Sequence, residues 1–358
     1  MKKVVVIGLG SMGKRRVRLL RKNYPDLVIY GIDARENRQE EAHRLYSVEI
    51  CRDIDEAKEL GATCAFVSTS PLAHATIIKN CLERGFHVFT ELNVVSDGYT
   101  ENQILARRME RVLFLSSTFL YRSEIKYIKQ RVAETGGKFV YFYHVGQWLP
   151  DWHPWESYKD FFVFDKRTNG VREIMVRELP WLTETFGDIT DWHIEMSKIS
   201  SLGLDYPDVY CMILNHHNKG VSGATEEDMH STEGTQGLHG AQGVETTRGV
   251  VLMDVVVRKS SINLEVISEN LYLTWDGTPT GVKEYNPETK EEKAVYLYDS
   301  FEHNENYAKN IVEDAYGNEI KAFFDQVEHG IEPVYNFAKD QHVLDIMDGL
   351  EAGLANYA

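Results

Sequence analysis

Cysteine is scarce in this chain. Four occur in 358 residues, at Cys51, Cys64, Cys81 and Cys211, and no two form a C-x-x-C pair. That excludes a disulfide scaffold and thiolate zinc motifs, and predicts reduced thiols in a cytoplasmic protein. Long apolar runs are missing too. No stretch reaches the ~18 uncharged apolar residues of a membrane-spanning helix. The opening Met1-Lys2-Lys3-Val4-Val5-Val6-Ile7 is cut short by Gly8, Gly10, Gly13 and the basic run Lys14-Arg15-Arg16. It therefore reads as a buried first strand, not a secretory signal. Basic charge is in deficit: 39 Lys and Arg against 55 Asp and Glu leave a net −16. This argues against nucleic acid and anionic membranes as partners. It leaves anionic cofactors open, because backbone N–H groups hold phosphates locally. Internal repeats and heptads are also lacking.

What is present is an ordinary globular composition, 43% hydrophobic and 26% charged, with a length that suits two domains. Short apolar runs at 3–7, 27–32, 65–69, 87–90 and 112–116 alternate with helical segments at 11–22, 36–46, 73–84 and 98–108. Strands buried on both faces and separated by helices imply βαβ units and a doubly wound parallel sheet. After Phe119 the rhythm changes. Strand-like runs at 139–145, 250–257, 262–267 and 271–275 are closely spaced and not separated by helices. The expected fold class is α/β: an N-terminal Rossmann domain over residues 1–120, then a C-terminal α+β domain over 121–358 with an open, largely antiparallel sheet. Closing helices are expected over about 305–358. The segment 216–249 is rich in Gly, Thr, Glu and His. His216, His217, His230 and His239 lack zinc-motif spacing, so it reads as a solvated loop, with no metal site.

Gly8-Leu9-Gly10-Ser11-Met12-Gly13 is G-x-G-x-x-G, placed after the first strand and opening the first helix. Gly8 permits the tight turn, Gly10 admits a pyrophosphate to the backbone, and Gly13 packs the helix on the strand. The helix N-terminus offers N–H groups and a positive dipole end. Asp33 ends the second strand, 20 residues past Gly13. Its carboxylate suits the two hydroxyls of an adenine ribose and repels a 2′-phosphate, which favours NAD. Arg35, close by, leaves NADP possible.

Further motifs follow. Ser68-Thr69-Ser70-Pro71-Leu72-Ala73-His74 comes after the third strand, and Arg84-Gly85-Phe86-His87-Val88-Phe89-Thr90-Glu91 runs through the fourth. With the glycine motif, this order resembles the Gfo/Idh/MocA family of sugar and cyclitol oxidoreductases. The resemblance implies an NAD(P) site across Gly8 to Met12, Asp33, Ser68 to His74 and Glu91. It also implies a second domain whose open sheet serves oligomer contacts, as a homodimer or tetramer. Two family positions differ. Glu91-Leu92-Asn93 stands where members carry Glu-Lys-Pro, whose lysine assists proton transfer. Glu173 and Arg177 stand where an Asp-x-x-x-His would supply the acid/base histidine. These altered motifs resemble a branch that builds surface-polysaccharide or nonulosonic-acid sugars, implying a nucleotide-activated or acidic sugar ligand.

Gln147-Trp148-Leu149-Pro150-Asp151-Trp152-His153-Pro154-Trp155-Glu156-Ser157-Tyr158 concentrates aromatics, carboxylates and a histidine in a proline-broken loop. Aromatic faces stack on sugar rings and carboxylates bind hydroxyls. Trp148, Asp151 and Trp152 are therefore candidate substrate contacts, with structural packing the alternative. His153, Tyr158 and Glu173 are candidate proton carriers. Arg172 and Arg177 are candidates for a substrate carboxylate or phosphate, or else ion-pair formers. Asn93 is a candidate partner for the nicotinamide amide or the substrate, or a turn residue. The expected activity is NAD(P)-dependent hydride transfer at a sugar hydroxyl or keto carbon. The alternatives are an NAD-retaining lyase, epimerase or glycosidase, and a dinucleotide-binding protein without catalysis.

Overall fold

The computed structural model describes residues 2–153, 156–217, 246–299 and 311–356. The first domain is built on a six-stranded sheet of β1 (Lys3–Ile7), β2 (Val28–Ile32), β3 (Glu49–Ile50), β4 (Cys64–Val67), β5 (His87–Thr90) and β6 (Leu113–Leu115). Its order is β3-β2-β1-β4-β5-β6, parallel throughout. The order reverses at β1, and the crevice at the carboxyl ends of β1 and β4 is where doubly wound sheets bind ligands. Helices α1 (Ser11–Asn23), α2 (Glu36–Tyr46), α3 (Ile54–Glu59), α4 (Pro71–Glu83) and α5 (Tyr99–Arg108) form the crossovers. Period-two alternation explains the two layers. Val4 and Val6 face one apolar cluster while Val5 and Ile7 face the other, all buried. The two-residue strand β3 and the helix α3 lack an apolar run, so the sequence did not announce them.

The second domain is an eight-stranded sheet in front of helices. After α6 (Ser123–Thr135) come β7 (Val140–Gly146), α7 (Gly170–Phe186), β8 (Asp188–Ser197), β9 (Val209–His217), β10 (Thr246–Asp254), β11 (Ser261–Ile267), β12 (Tyr272–Trp275), β13 (Lys283–Asn286) and β14 (Glu291–Ala294). The order is β14-β13-β12-β11-β7-β10-β9-β8, antiparallel except for the β7–β10 pair. This is the open, largely antiparallel sheet expected. In β7, Tyr141, Tyr143 and Val145 point into the core while Val140 and Phe142 stay exposed on the open face. Both ends of the segment expected to be a loop, 216–249, are strand. His216 and His217 finish β9, and residues 247–249 already belong to β10. His216 is buried, and its ring nitrogens lie 2.8 Å from Tyr141 Oη and 2.8 Å from the Gly187 carbonyl. His230 and His239 fall outside the described residues.

The closing helices are α8 (Glu313–His329) and α9 (Phe337–Leu350), and they serve different sheets. In α9, Phe337, Leu344 and Met347 join the core of the second domain. Helix α8 crosses back. Phe323 and Phe324 cover the first sheet, with the Phe323 ring 5.3 Å from Phe66, 5.8 Å from Phe89 and 5.8 Å from Phe114. Each ring meets Phe323 edge-on, a favoured aromatic geometry. Among the described residues, no helix is long and apolar enough to cross a membrane. Phe323→Ala should cost about 3–5 kcal/mol of stability, the usual range for deleting a buried Phe; denaturant unfolding followed by circular dichroism measures it, and a loss below 1 kcal/mol would refute this packing.

Candidate dinucleotide cleft and catalytic pocket

The glycine turn is built as its spacing requires. Gly8 has φ +91°, and a Cβ there would meet the Ser68 carbonyl oxygen at 2.5 Å. A Cβ at Gly13 would meet the Gly8 carbonyl oxygen at 1.8 Å, so only glycine lets α1 start so close to β1. Ser11 and Met12 open α1, whose first turn holds no acidic residue and has no side-chain cap. That leaves its N–H groups to an anion.

Asp33 is held in place before any ribose arrives. Its Oδ2 accepts the Leu9 N–H at 2.6 Å and its Oδ1 accepts the Arg35 N–H at 2.8 Å. Arg35 therefore contributes its backbone here. The guanidinium that attends this site belongs to Arg38, a residue the sequence reading did not single out. Its Nη1 lies 3.9 Å from Asp33 Oδ2 and 3.3 Å from where a Cβ of Gly10 would stand. Helical side chains slant toward the N-terminus, so a residue in the first turn of α2 reaches back over the glycine loop. That was the available signal.

On the other side of β1, Ser70 and Pro71 start α4, with proline at a position that needs no N–H. His74 is 2% exposed, with Nε2 3.0 Å from the Thr69 carbonyl and Nδ1 2.5 Å from Asn93 Oδ1. Burial holds this imidazole below its ordinary range, hence neutral. His74 and Asn93 thus lock the loop after β4 to the segment after β5. Glu91 is also committed: Arg16 grips it at 2.7 and 2.9 Å, and Ser68 Oγ donates to it at 3.3 Å. Glu91 and Asn93, both expected at the cofactor, also hold the walls of the cleft together. Ser68 and Thr69 remain at the cleft, and Thr69 Oγ1 is a buried hydroxyl without a partner. A side-chain-free cradle, uncapped N–H groups, a fixed carboxylate and an orphan hydroxyl fit a nicotinamide dinucleotide.

The second cluster is a cavity of about 170 Å³ where β7 gives way to the aromatic loop. Gln147, Trp152, His153, Glu173, Arg177, Ser260 and Ser261 line it. Helix α7 sets two of these groups. Asn169 caps it by accepting the Arg172 N–H at 2.7 Å, and Arg172 Nε donates to the Val94 carbonyl at 2.6 Å. The Arg172 guanidinium also pairs with Glu351 and Asp348. Arg172 is thus an anchor that holds α7 against the segment following β5, and it does not line the cavity. Glu173 and Arg177, four residues apart on one helix face, do. Arg177 Nε pairs with Glu178 at 2.8 Å, and Glu178 accepts Tyr143 Oη at 2.6 Å and Trp181 Nε1 at 2.7 Å. Burial raises the Glu173 carboxyl above its ordinary range, with Arg177 opposing. Burial lowers His153, with Glu156 at 3.2 Å opposing.

The remaining loop residues divide. Trp152 lines the cavity and donates to the Gln147 carbonyl at 3.2 Å. Trp148 lies outside it, stacked with Arg258 at 3.7 Å. Asp151 is exposed. Tyr158 is directed elsewhere: its hydroxyl donates to the Leu202 carbonyl at 2.7 Å and its ring packs on the core. It is not placed to carry a proton in this cavity. Ser260 and Ser261 come from a turn 107 residues beyond His153 and carry no local motif. Among the described residues, no group of three or more His, Cys, Asp or Glu side chains is arranged to hold a metal.

Residues 2–113 match the profile of an oxidoreductase family with an NAD-binding Rossmann fold, Gfo/Idh/MocA. Over this domain the chain is similar to that family. Solved structures extend the likeness over both domains. UDP-N-acetylglucosamine 3-dehydrogenase GnnA from Acidithiobacillus ferrooxidans superposes with a TM-score of 0.71 at 13% identity, covering 99% of this chain and 98% of that one. A putative myo-inositol dehydrogenase from Sinorhizobium meliloti 1021 gives 0.70 at 13% identity, covering 100% and 98%. GenD2 from gentamicin A biosynthesis, in complex with NAD, gives 0.71 at 14% identity, covering 99% and 94%. At these identities the likeness is one of fold. No curated protein sequence matches. Leu92, which follows Glu91, packs against the second-domain core.

Asp33→Ala should weaken NAD binding about tenfold, roughly 1.4 kcal/mol, and Arg38→Ala should weaken NADP binding more than NAD binding. Calorimetric titration reads both, and an unchanged NAD affinity in the Asp33 variant would reject the ribose role.

Proposed function

We propose that this chain is an NAD(P)-dependent dehydrogenase or reductase of a sugar derivative, with Glu173 as its proton carrier. The observation that carries this reading is the cavity that joins Glu173, His153 and Arg177 on a helix anchored beside the end of β5. When bound, the dinucleotide supplies a hydride acceptor or donor. Gly8 to Gly13 receive its diphosphate, Asp33 its ribose, and Ser68 and Thr69 the segment beyond. In the oxidation direction, the carbinol C–H leaves as hydride and the hydroxyl proton passes to the Glu173 carboxylate, leaving a ketone. In reduction the protonated carboxyl returns it. A raised carboxyl pKa suits a group that must both take and give a proton. Arg177, beside it, favours the ionised form and keeps the group from being permanently protonated. His153, held neutral by burial, is the second candidate acceptor. Trp152 and the hydroxyls of Ser260 and Ser261 supply a face and hydrogen bonds for a sugar ring. Two titratable groups on the wall favour catalysis over mere dinucleotide binding.

The same reading divides the chain near residue 120, with α8 crossing back onto the first sheet. Exposed Val140, Phe142, Ile213 and Val250 on the open face of the second sheet support a homo-oligomer. Buried thiols at Cys51, Cys64 and Cys81 suit a cytoplasmic setting. The test is to incubate the protein with NAD and a panel of sugars and nucleotide sugars while following NADH absorbance. NADH should accumulate with at least one of them; full NAD binding with no NADH from any would sink the proposal. Glu173→Gln should lower kcat by about 10²–10⁴-fold. In the wild type, oxidation should slow as pH falls through a carboxyl pKa above the ordinary ~4.3, because only the ionised form accepts a proton. The variant should lose that acid limb, and a pH profile identical to wild type would remove Glu173 from the reaction.

A further inference from the structure

We propose that Asp340 is a positioning residue for the nicotinamide half of the dinucleotide. From the second domain it holds Tyr99, and through Tyr99 the segment that backs the cofactor wall between Ser68 and His74. This role rests on the dinucleotide reading of the cleft and adds a residue from outside it. Asp340 lies in α9 and is 3% exposed. Its Oδ1 accepts the hydroxyl of Tyr335, just ahead of the same helix, at 2.9 Å. Its Oδ2 accepts the hydroxyl of Tyr99, which opens α5 in the first domain, at 2.5 Å. Burial pushes the carboxyl up to about 6, with the two phenols opposing, so near neutral pH it is ionised and accepts from both. Burial and the Asp340 charge hold both phenols far above their ordinary range, so both stay donors. Among the described residues no cation is paired with this carboxylate. A buried charge served only by neutral donors is costly, and an apolar side chain of similar volume fills such a site at less cost. What the charge adds is its grip on a hydroxyl across the domain boundary, since an ionised acceptor makes a hydrogen bond roughly twice as strong as a neutral one. The Tyr99 ring also meets Phe337, the first residue of α9, edge-on at 4.7 Å.

Three contacts carry the position of Tyr99 to the cofactor wall. Gly98, one residue earlier, lies so close to α4 that a Cβ there would stand 3.0 Å from Ala75 Cβ. Asn102, in the first turn of α5, donates to the Ala75 carbonyl at 3.0 Å. Asn93, at the other end of the same connection, lies 2.5 Å from His74, which lies 3.0 Å from the Thr69 carbonyl. Residues 93–102 therefore back the turn that follows β4, and a shift at Tyr99 moves that turn. Thr69, whose buried hydroxyl has no partner, sits in it. The second domain holds the same stretch at two further points. Arg172 donates to the Val94 carbonyl, and Arg167 pairs with Asp97. The second of these is exposed, and such pairs add little. Asp33, which serves the adenosine half of the cofactor, ends β2 on the far side of β1 from β4. The reach of Asp340 is thus confined to the half that carries the reacting ring.

The experiment titrates the full chain calorimetrically with NAD and with ADP, which carries the adenosine and diphosphate alone. Tyr99→Phe and Asp340→Asn should bind NAD about tenfold more weakly than the wild type, and ADP with unchanged affinity. Tyr335→Phe removes the hydroxyl that serves Asp340 from within the second domain. It should lower the melting temperature as Tyr99→Phe does, yet leave NAD affinity at the wild-type level. If Asp340→Asn does not fold by circular dichroism, the contrast between the two tyrosine variants decides. NAD bound equally by the wild type and Tyr99→Phe, or a loss shared by ADP or by Tyr335→Phe, would overturn the role of Asp340 and leave the cleft as a dinucleotide site. A wild type that binds neither nucleotide would overturn the dinucleotide reading and this role with it.

Discussion

One buried guanidinium ties the first domain together. Arg16, on α1, is completely buried and reaches three separate parts of the chain. It grips Glu91 at the end of β5, approaches Ser116 Oγ at 3.2 Å beyond β6, and pairs with Glu319 on α8 at 2.8 Å. Glu319 in turn accepts the Ser116 hydroxyl at 3.0 Å and the Ser117 N–H at 2.5 Å. Two carboxylates around one cation leave an excess negative charge, and these neutral donors are what make it tolerable. Burial pushes Glu319 toward its protonated form while Arg16 pulls it back. Breaking such a cluster by deleting one partner is costly, because a desolvated charge is left uncompensated. The helix that follows the glycine turn, the end of β5 and the returning helix therefore share one electrostatic anchor.

The parts of this arrangement that were legible in the sequence are the local ones. Gly8, Gly10, Gly13 and Asp33 declare themselves by spacing, since turn, helix start and strand end are set within one βαβ unit. Glu173 and Arg177 could be paired because four residues make one helical turn. What escaped depends on contacts across the chain. Nothing near residue 38 says that its guanidinium lies over Gly10, and nothing near Tyr158 says that its hydroxyl seeks Leu202. His74 and Asn93 each looked like a ligand contact, and only the fold shows them satisfying each other. Strands β8 and β9 were missed too. Strand β8 alternates half-buried and exposed residues on a sheet with one open face, whereas β9 carries the apolar run Val209 to Leu214, a signal that was there to be read.

The cavity beside β7 sets a titratable group next to a fixed cation. Leu92 has withdrawn into packing, and Arg177 cannot shuttle protons, because a guanidinium stays charged. Glu173 sits one turn before Arg177 on the same face of α7, so a titratable group still lines the wall. Arg172 keeps that wall in register with the cofactor domain by binding the Val94 carbonyl and the carboxylates of Asp348 and Glu351. Position along the helix decides the roles: one arginine is buried as an anchor, and the next, five residues on, faces the cavity.

Helix α8 also has a bearing on biosynthesis. The aromatic floor formed by Phe66, Phe89 and Phe114 is complete once β6 ends at Leu115, but its cover begins at Glu313, 198 positions later. At ribosomal speeds of about 5–20 residues per second, that floor stays bare for roughly ten to forty seconds. During this interval the nascent first domain exposes sticky surface while the strands of the second sheet are being synthesised.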